Sequence, residues 1–245
     1  MYGGACLNNY WNACLTLKEL LLKNEVEHAF ISTVNESLVT RARNRLADVY
    51  RKRLDLTHAV YIDADIGFEP TDILRLLDLD LDIVGAPCSK KQIAWPRLQR
   101  MFARNHREYS AADIARAGGL PVFNPLPGTT EMSLTEPVEV QHIGTGIMMI
   151  RQNVFEKFVE AYPDRWYDSG KADEYDMPGA IHDFFKSAVN PETRQYDSED
   201  YWFCQDCKAL GFKIWICPWM CTTHMGTYSY VADLRASQAL TGEIR

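Results

Sequence analysis

Apolar residues recur at helical spacing in residues 8–23, where Tyr10, Cys14, Leu17 and Leu21 share one face. They recur the same way in 38–53, with Leu38, Ala42, Leu46 and Val49 inward and Arg41, Arg43, Asn44 and Arg45 on other faces. Elsewhere the period shortens. Apolar runs at 28–34, 58–62, 82–86, 138–142, 146–151 and 213–217 read as strands, and 71–79, 152–162 and 198–211 as helices. Ser198 is a natural N-cap for the last of these and Gly211 a natural terminator. A tail helix is expected over 231–240. Helices and strands alternate, which predicts an α/β fold with a mainly parallel, Rossmann-like sheet flanked by helices. Ligands then belong beyond the carboxyl ends of the strands. Residues 88–137 read as loop with one or two short helices. Residues 162–197 form a long polar segment bearing Trp166, Tyr167 and Tyr175, of the kind that makes lids and binding loops.

Length and composition narrow the class. With 245 residues, 47% of them hydrophobic, the chain suits one domain with an ample core. Lys plus Arg number 26 and Asp plus Glu 33, a balance of 26 − 33 = −7, which disfavours a nucleic-acid or anionic-membrane surface. Charges interrupt every long apolar tract, so no membrane span is expected and the chain reads as soluble. Seven scattered cysteines suit reduced thiols in a cytoplasmic setting. Cys204, Cys207, Cys217 and Cys221 imitate a zinc pattern, but the first pair falls inside a helix, so buried thiols are expected there.

Candidate chemistry concentrates in residues 61–70, Tyr-Ile-Asp-Ala-Asp-Ile-Gly-Phe-Glu-Pro. Side chains of a strand alternate, so Asp63 and Asp65 leave its carboxyl end on the same side. Paired carboxylates suit a hard divalent cation whose shell substrate phosphates complete. The plain alternative is an acidic turn. Twenty residues earlier, Arg41-Ala42-Arg43-Asn44 offers planar guanidinium forks for phosphate, or else a solvated helix face.

Asn-Glu-Ser-Leu-Val-Thr-Arg-Ala-Arg-Asn followed by Tyr-Ile-Asp-Ala-Asp-Ile-Gly-Phe-Glu-Pro resembles the nucleotide-sugar glycosyltransferases of the GT-A fold. Closest in pattern are the family 2-like enzymes of algal viruses and phages, with the Anp1-type mannosyltransferases sharing the Arg-Ala-Arg-Asn to Asp-Ala-Asp passage. The resemblance implies a single GT-A domain over 1–245, with a nucleotide-binding half at 1–90 and an acceptor and catalytic half at 138–230. It implies a nucleotide diphosphate sugar as donor, a glycan or glycoconjugate as acceptor, and Mn²⁺ or Mg²⁺ as cofactor. By the same resemblance Asp65 binds the metal, Asp63 binds metal or donor ribose, and His224 completes the ligands. Tyr2, Gly3 and Gly4 look like the first nucleotide-binding loop. Arg41, Asn44, Lys90 and Gly146 join them as donor contacts, with Gly144-Thr145-Gly146 facing donor and acceptor. Ser198-Glu199-Asp200 looks like the acidic catalytic motif, with Asp200 as general base in an inverting transfer and Glu199 as the neighbouring candidate. GT-A enzymes place a complete strand before the Tyr-Gly-Gly loop. Only Met1 precedes it here, so that first strand is expected to be missing, either because the sequence is truncated there or because something else fills its sheet position.

Lys91 and Trp95 are weaker candidates for diphosphate or sugar contact. Three alternatives stay open: a retaining transferase of the same fold, a sugar-nucleotide-binding module without turnover, and a haloacid-dehalogenase-like phosphatase. The last needs Thr or Val where this chain has Gly67.

Overall fold

Ile147, Met148, Met149 and Ile150 are all buried, and they divide by parity between two separate hydrophobic clusters. A strand with helices on both faces produces that division. The computed structural model describes residues 2–53, 55–104, 107–170, 179–229 and 232–242. A 3-10 turn at Tyr2–Gly4 leads to α1 (Asn8–Lys23), α2 (Val39–Arg51), β1 (His58–Ile62), β2 (Ile66–Gly67), α3 (Pro70–Asp78), β3 (Ile83–Gly85) and β4 (Cys88–Ser89). Next come α4 (Trp95–Arg104), α5 (Ala111–Gly118), β5 (Pro121–Pro125), β6 (Val138–Ile143), β7 (Ile147–Arg151) and α6 (Gln152–Ala161). The chain continues through β8 (Trp166–Asp168), β9 (Ala180–His182), β10 (Ala188–Val189), β11 (Tyr196–Asp197) and α7 (Glu199–Ala209). It then forms β12 (Ile214–Ile216), β13 (Thr223–His224) and α8 (Leu234–Thr241).

The seven-stranded sheet has the order β1-β7-β3-β12-β6-β5-β4. Among the described residues only β3 and β12 pair in parallel; β1–β7, β7–β3, β12–β6, β6–β5 and β5–β4 are antiparallel. The expected mainly parallel sheet is therefore corrected to a mainly antiparallel one within an α/β fold. The cause is interleaving. β1, β3 and β12 do run in one direction, but β6 and β7 run the other way and insert beside them. β6 and β7 do not form a hairpin, because the chain steps sideways through Gly144-Thr145-Gly146 and continues in the same direction.

One cluster joins α2, α6 and α7 to the sheet through Ala47, Tyr50, Phe155, Phe158 and Phe203. The other joins α1 and α3 through Leu17, Leu21, Ile73 and Leu76. Phe184 and Phe185 are fully buried in the first cluster, so part of the expected loop at 162–197 is an anchor. Two further expectations are corrected. Residues 28–34 form no strand, since a cavity separates them from the open edge of β1, and 88–137 contains the strands β4 and β5. Prolines at both ends of β5 masked it. Cys204, Cys207 and Cys217 are buried, and burial pushes the Cys204 and Cys217 thiols up to about 12. No helix among the described residues is long and apolar enough to cross a membrane.

Candidate functional site

β1 delivers Asp63 and Asp65 at its carboxyl end, where the turn is fixed from behind. The Asp63 N–H donates to the Gly146 carbonyl at 3.0 Å and the Ile66 N–H to the Asp63 carbonyl at 3.0 Å. Gly146 is required here by close approach: a Cβ on it would stand 2.8 Å from Cys88 Sγ. Gly146 thus supports the turn with its backbone and is itself buried. A second tie comes from the amino-terminal segment, whose Leu7 N–H donates to the Ala64 carbonyl at 3.0 Å. The Tyr2–Gly4 turn, with Gly3 and Gly4 at φ of 70° and 69°, precedes that tie by three residues.

The two carboxylates have different partners. Arg43, projecting from α2, donates through Nη2 to Asp63 Oδ1 and Oδ2 at 3.3 and 3.4 Å, and through Nη1 to Glu199 Oε1. It is 7% exposed, and the Tyr61 hydroxyl holds its backbone carbonyl at 3.2 Å. A guanidinium removed from water needs carboxylates around it, and here it has two. Burial pushes the Glu199 carboxyl above its ordinary value, while Arg43 pulls it down.

Asp65, with its side chain 30% exposed against 43% for Asp63, has a separate set of partners. β13 pairs with β2 in the register His224↔Ile66, which carries His224 next to Asp65 from the far end of the chain. His224 Nδ1 donates to the Ser89 carbonyl at 2.6 Å, and its Nε2 stands 3.4 Å from Asp65 Oδ1. With Nδ1 as the donor, the Nε2 atom is the one left facing the Asp65 carboxylate. The other oxygen, Oδ2, is ion-paired with Lys91.

Asp200 lies in the first turn of α7. Its Oδ1 accepts from the Ser198 hydroxyl and from the Tyr201 N–H at 2.9 Å, while Oδ2 is 3.5 Å from where a Cβ on Gly144 would stand. Ser198 occupies the N-cap position but spends its hydroxyl on Asp200 instead of on the helix. Beside it, His142 stacks on Tyr201 with ring centroids 4.6 Å apart, and the Tyr201 hydroxyl donates to Asn124 at 2.5 Å.

The expected residues are thus brought together in part. Asp63, Asp65, His224 and Glu199 gather around the end of β1, Asp63 and Glu199 linked by Arg43 and Asp65 set beside His224 and Lys91. Asn44 turns inward: it is 1% exposed, its amide donates to Asp183 at 2.8 Å, and its oxygen accepts from Phe185 N–H at 2.7 Å. It pins the 183–185 segment to α2. Arg41 pairs with Glu36 on the surface, and Lys90 is exposed. Trp95 and Trp166 are exposed and Tyr167 half-buried; Tyr175 lies outside the described residues. Sequence reasoning placed Arg43 on a helix face and gave Lys91 little weight, yet these two carry the carboxylates. Helical periodicity does mark Arg43, since it sits one residue from the apolar stripe of α2 in an otherwise basic run.

Among the described residues no three His, Cys, Asp or Glu side chains form a ready-made metal cage. Two of the three expected ligands do converge. Asp65 Oδ1 and His224 Nε2, 3.4 Å apart, suit two donors that share one small ion. The Nδ1–H bond to a backbone carbonyl orients the histidine as a ligand.

No family model matches the chain, and no curated protein matches it. Among solved structures, the crystal structure of A197 from STIV is similar, with a TM-score of 0.44 and 14% identity, covering 87% of this chain and 80% of that one.

Proposed function

We propose that the chain transfers a sugar from a nucleotide diphosphate sugar to a hydroxyl of a glycan or glycoconjugate, with inversion and with Mn²⁺ or Mg²⁺ as cofactor. The observation that carries this reading is the pairing of His224 Nε2 with Asp65 Oδ1 at the carboxyl end of β1. Asp65 and His224 would hold the ion. When bound, it acts as a Lewis acid on the departing diphosphate. A histidine among oxygen donors leans the choice toward Mn²⁺.

The remaining residues take separate duties. Asp63, with 43% of its side chain exposed, is held in place by Arg43 and keeps an open face for a donor ribose hydroxyl. That assigns it to the donor and not to the ion. Tyr2, Gly3 and Gly4, which precede the Leu7 tie to Ala64, and the exposed Lys90 are assigned as donor contacts. Asp200 is the general base. Two donors hold Oδ1, which points Oδ2 to receive the proton of the attacking acceptor hydroxyl. Glu199 is committed to Arg43 and acts by positioning.

The test is a thermal-shift screen of UDP, GDP and their sugar conjugates, each with and without Mn²⁺. A ligand of the native state raises stability by mass action, about 2.7 kcal/mol at a hundredfold excess over Kd. We expect one nucleotide class to raise Tm, more so with Mn²⁺, and Asp65→Ala to abolish the Mn²⁺-dependent part. Silence from every nucleotide under both conditions would sink the reading.

A further inference from the structure

Residues 88–120 run from β4 through α4 and α5 to the start of β5. Seven of them are Lys or Arg and two are Asp or Glu, so this arm holds 7 − 2 = +5. The whole chain stands at −7, which leaves −7 − 5 = −12 for everything else. A strongly basic arm thus projects from an acidic body, and such a local field concentrates anions that the net charge would repel.

The arginines of α4 lack the partners that arginines elsewhere have. Arg41, Arg43, Arg53, Arg75, Arg151 and Arg165 each pair with a carboxylate. Arg97 donates to the Gly119 carbonyl at 2.7 Å, but no ion pair joins Arg97, Arg100 or Arg104 to a described carboxylate. The helix also sorts its side chains. Leu98 is its buried residue, and at 3.6 residues per turn Trp95 and Phe102 fall on one flank of Leu98 while Arg97, Arg100 and Arg104 fall on the other. All three arginines are exposed, and seven residues of helix spread them over about 10 Å. The arm begins at the candidate site: Lys91, four residues before α4, pairs with Asp65, and the Ser89 carbonyl holds His224 Nδ1.

We infer that the arginine flank of α4 docks an acidic glycan, a linear sugar chain with repeated carboxylate or sulfate groups. The docking is argued from α4 alone, while its use as the acceptor rests on the sugar-transfer reading. A planar guanidinium fork matches the paired oxygens of a carboxylate or sulfate, and arginine stands at all three positions where lysine would serve for solubility. Two other polyanions fit this helix less well. A flat anionic bilayer would meet the arginines or the aromatics but not both, since they lie on opposite flanks. A single-stranded nucleic acid needs rings beside the cations to stack its bases, and the arginine flank of α4 carries none.

The experiment is titration calorimetry of the full chain with polygalacturonate, dextran sulfate and neutral dextran, without nucleotide or Mn²⁺. Three double variants accompany it: Arg100→Glu with Arg104→Glu, the milder Arg100→Gln with Arg104→Gln, and Lys18→Glu with Lys23→Glu. The last makes the same charge change as the first, at exposed positions of α1. We expect an acidic glycan to bind and dextran not to bind, with polygalacturonate marking carboxylate and dextran sulfate marking sulfate as the group recognised. The α4 reversal should weaken binding about tenfold or more, the glutamine pair should fall between it and wild type, and the α1 reversal should stay within about twofold. Failure of both acidic glycans to bind would overturn the proposal, as would equal binding of dextran or equal damage from the α1 reversal. Tighter binding of polyuridylate, polyglutamate or phosphatidylserine vesicles than of either glycan would overturn it too. The sugar-transfer reading fails separately, in the nucleotide screen, because no nucleotide enters this titration.

Discussion

Asp63 and Asp65 are separated by one residue, yet they stand in two different electrostatic settings. Asp63 belongs to a cluster whose guanidinium and distal carboxylate have side chains only 9% and 12% exposed. Asp65 belongs to one whose lysine is 43% exposed and whose histidine comes from a two-stranded flap. Charges withdrawn from water interact strongly but need each other, whereas charges at the surface are screened and exchangeable. The inner cluster can therefore hold the turn rigid while the outer one trades partners with a ligand.

Arg43→Ala is the hardest blow to that distinction. It leaves Glu199 buried without its cation and removes the bridge between α2, β1 and α7. Loss of one member of a buried pair costs about 3–5 kcal/mol. We expect a loss in that range by urea denaturation, together with loss of nucleotide binding. A loss below about 1 kcal/mol would place the inner cluster with ordinary surface pairs.

That bridge was hidden in the sequence for a physical reason. Periodicity located α1, α2, β1, α3 and α6 because each buries one stripe or one parity of residues against the sheet, and the stripe is written in the chain. The Asp-Ala-Asp turn was legible for the same reason, since it ends an apolar run. Pairing is not written locally. Nothing in residues 138–151 announces that β6 and β7 will separate and insert between β12 and β5 and between β1 and β3, so direction was legible while neighbours were not. Asn44 illustrates the same limit within the site. Its type suited donor binding, but Asp183 and Phe185, about 140 positions away, claim both ends of its amide.

Glu199→Gln tests the inner cluster more gently. Burial raises the carboxyl above its ordinary 4.5, with Arg43 opposing. A raised acid favours the protonated folded state, so its contribution is present below pH about 4.5 and is lost as pH rises through the raised value. Glutamine keeps the shape without the titration. We therefore expect the difference in unfolding free energy, wild type minus Glu199→Gln, to fall between pH 4 and pH 7. A flat difference would mean that Arg43 fully offsets the burial.

Lys91→Met is the smallest perturbation of stability and the most informative about the outer cluster. The ion pair with Asp65 lies at the surface, where such pairs contribute about 0–1 kcal/mol, so urea denaturation should barely move. Metal binding should move more. The ammonium occupies Asp65 Oδ2, and a divalent ion held by Asp65 and His224 must displace it or share the carboxylate with it. Two cations on one carboxylate repel, so removing the ammonium should tighten binding of Mn²⁺ alone, by about tenfold if the relief is about 1.4 kcal/mol. Titration calorimetry with Mn²⁺ and no nucleotide measures this directly. Unchanged Mn²⁺ affinity would show that the ion does not use Asp65, and it would erase the contrast between the two carboxylates from the outer side, as a small Arg43→Ala effect would from the inner.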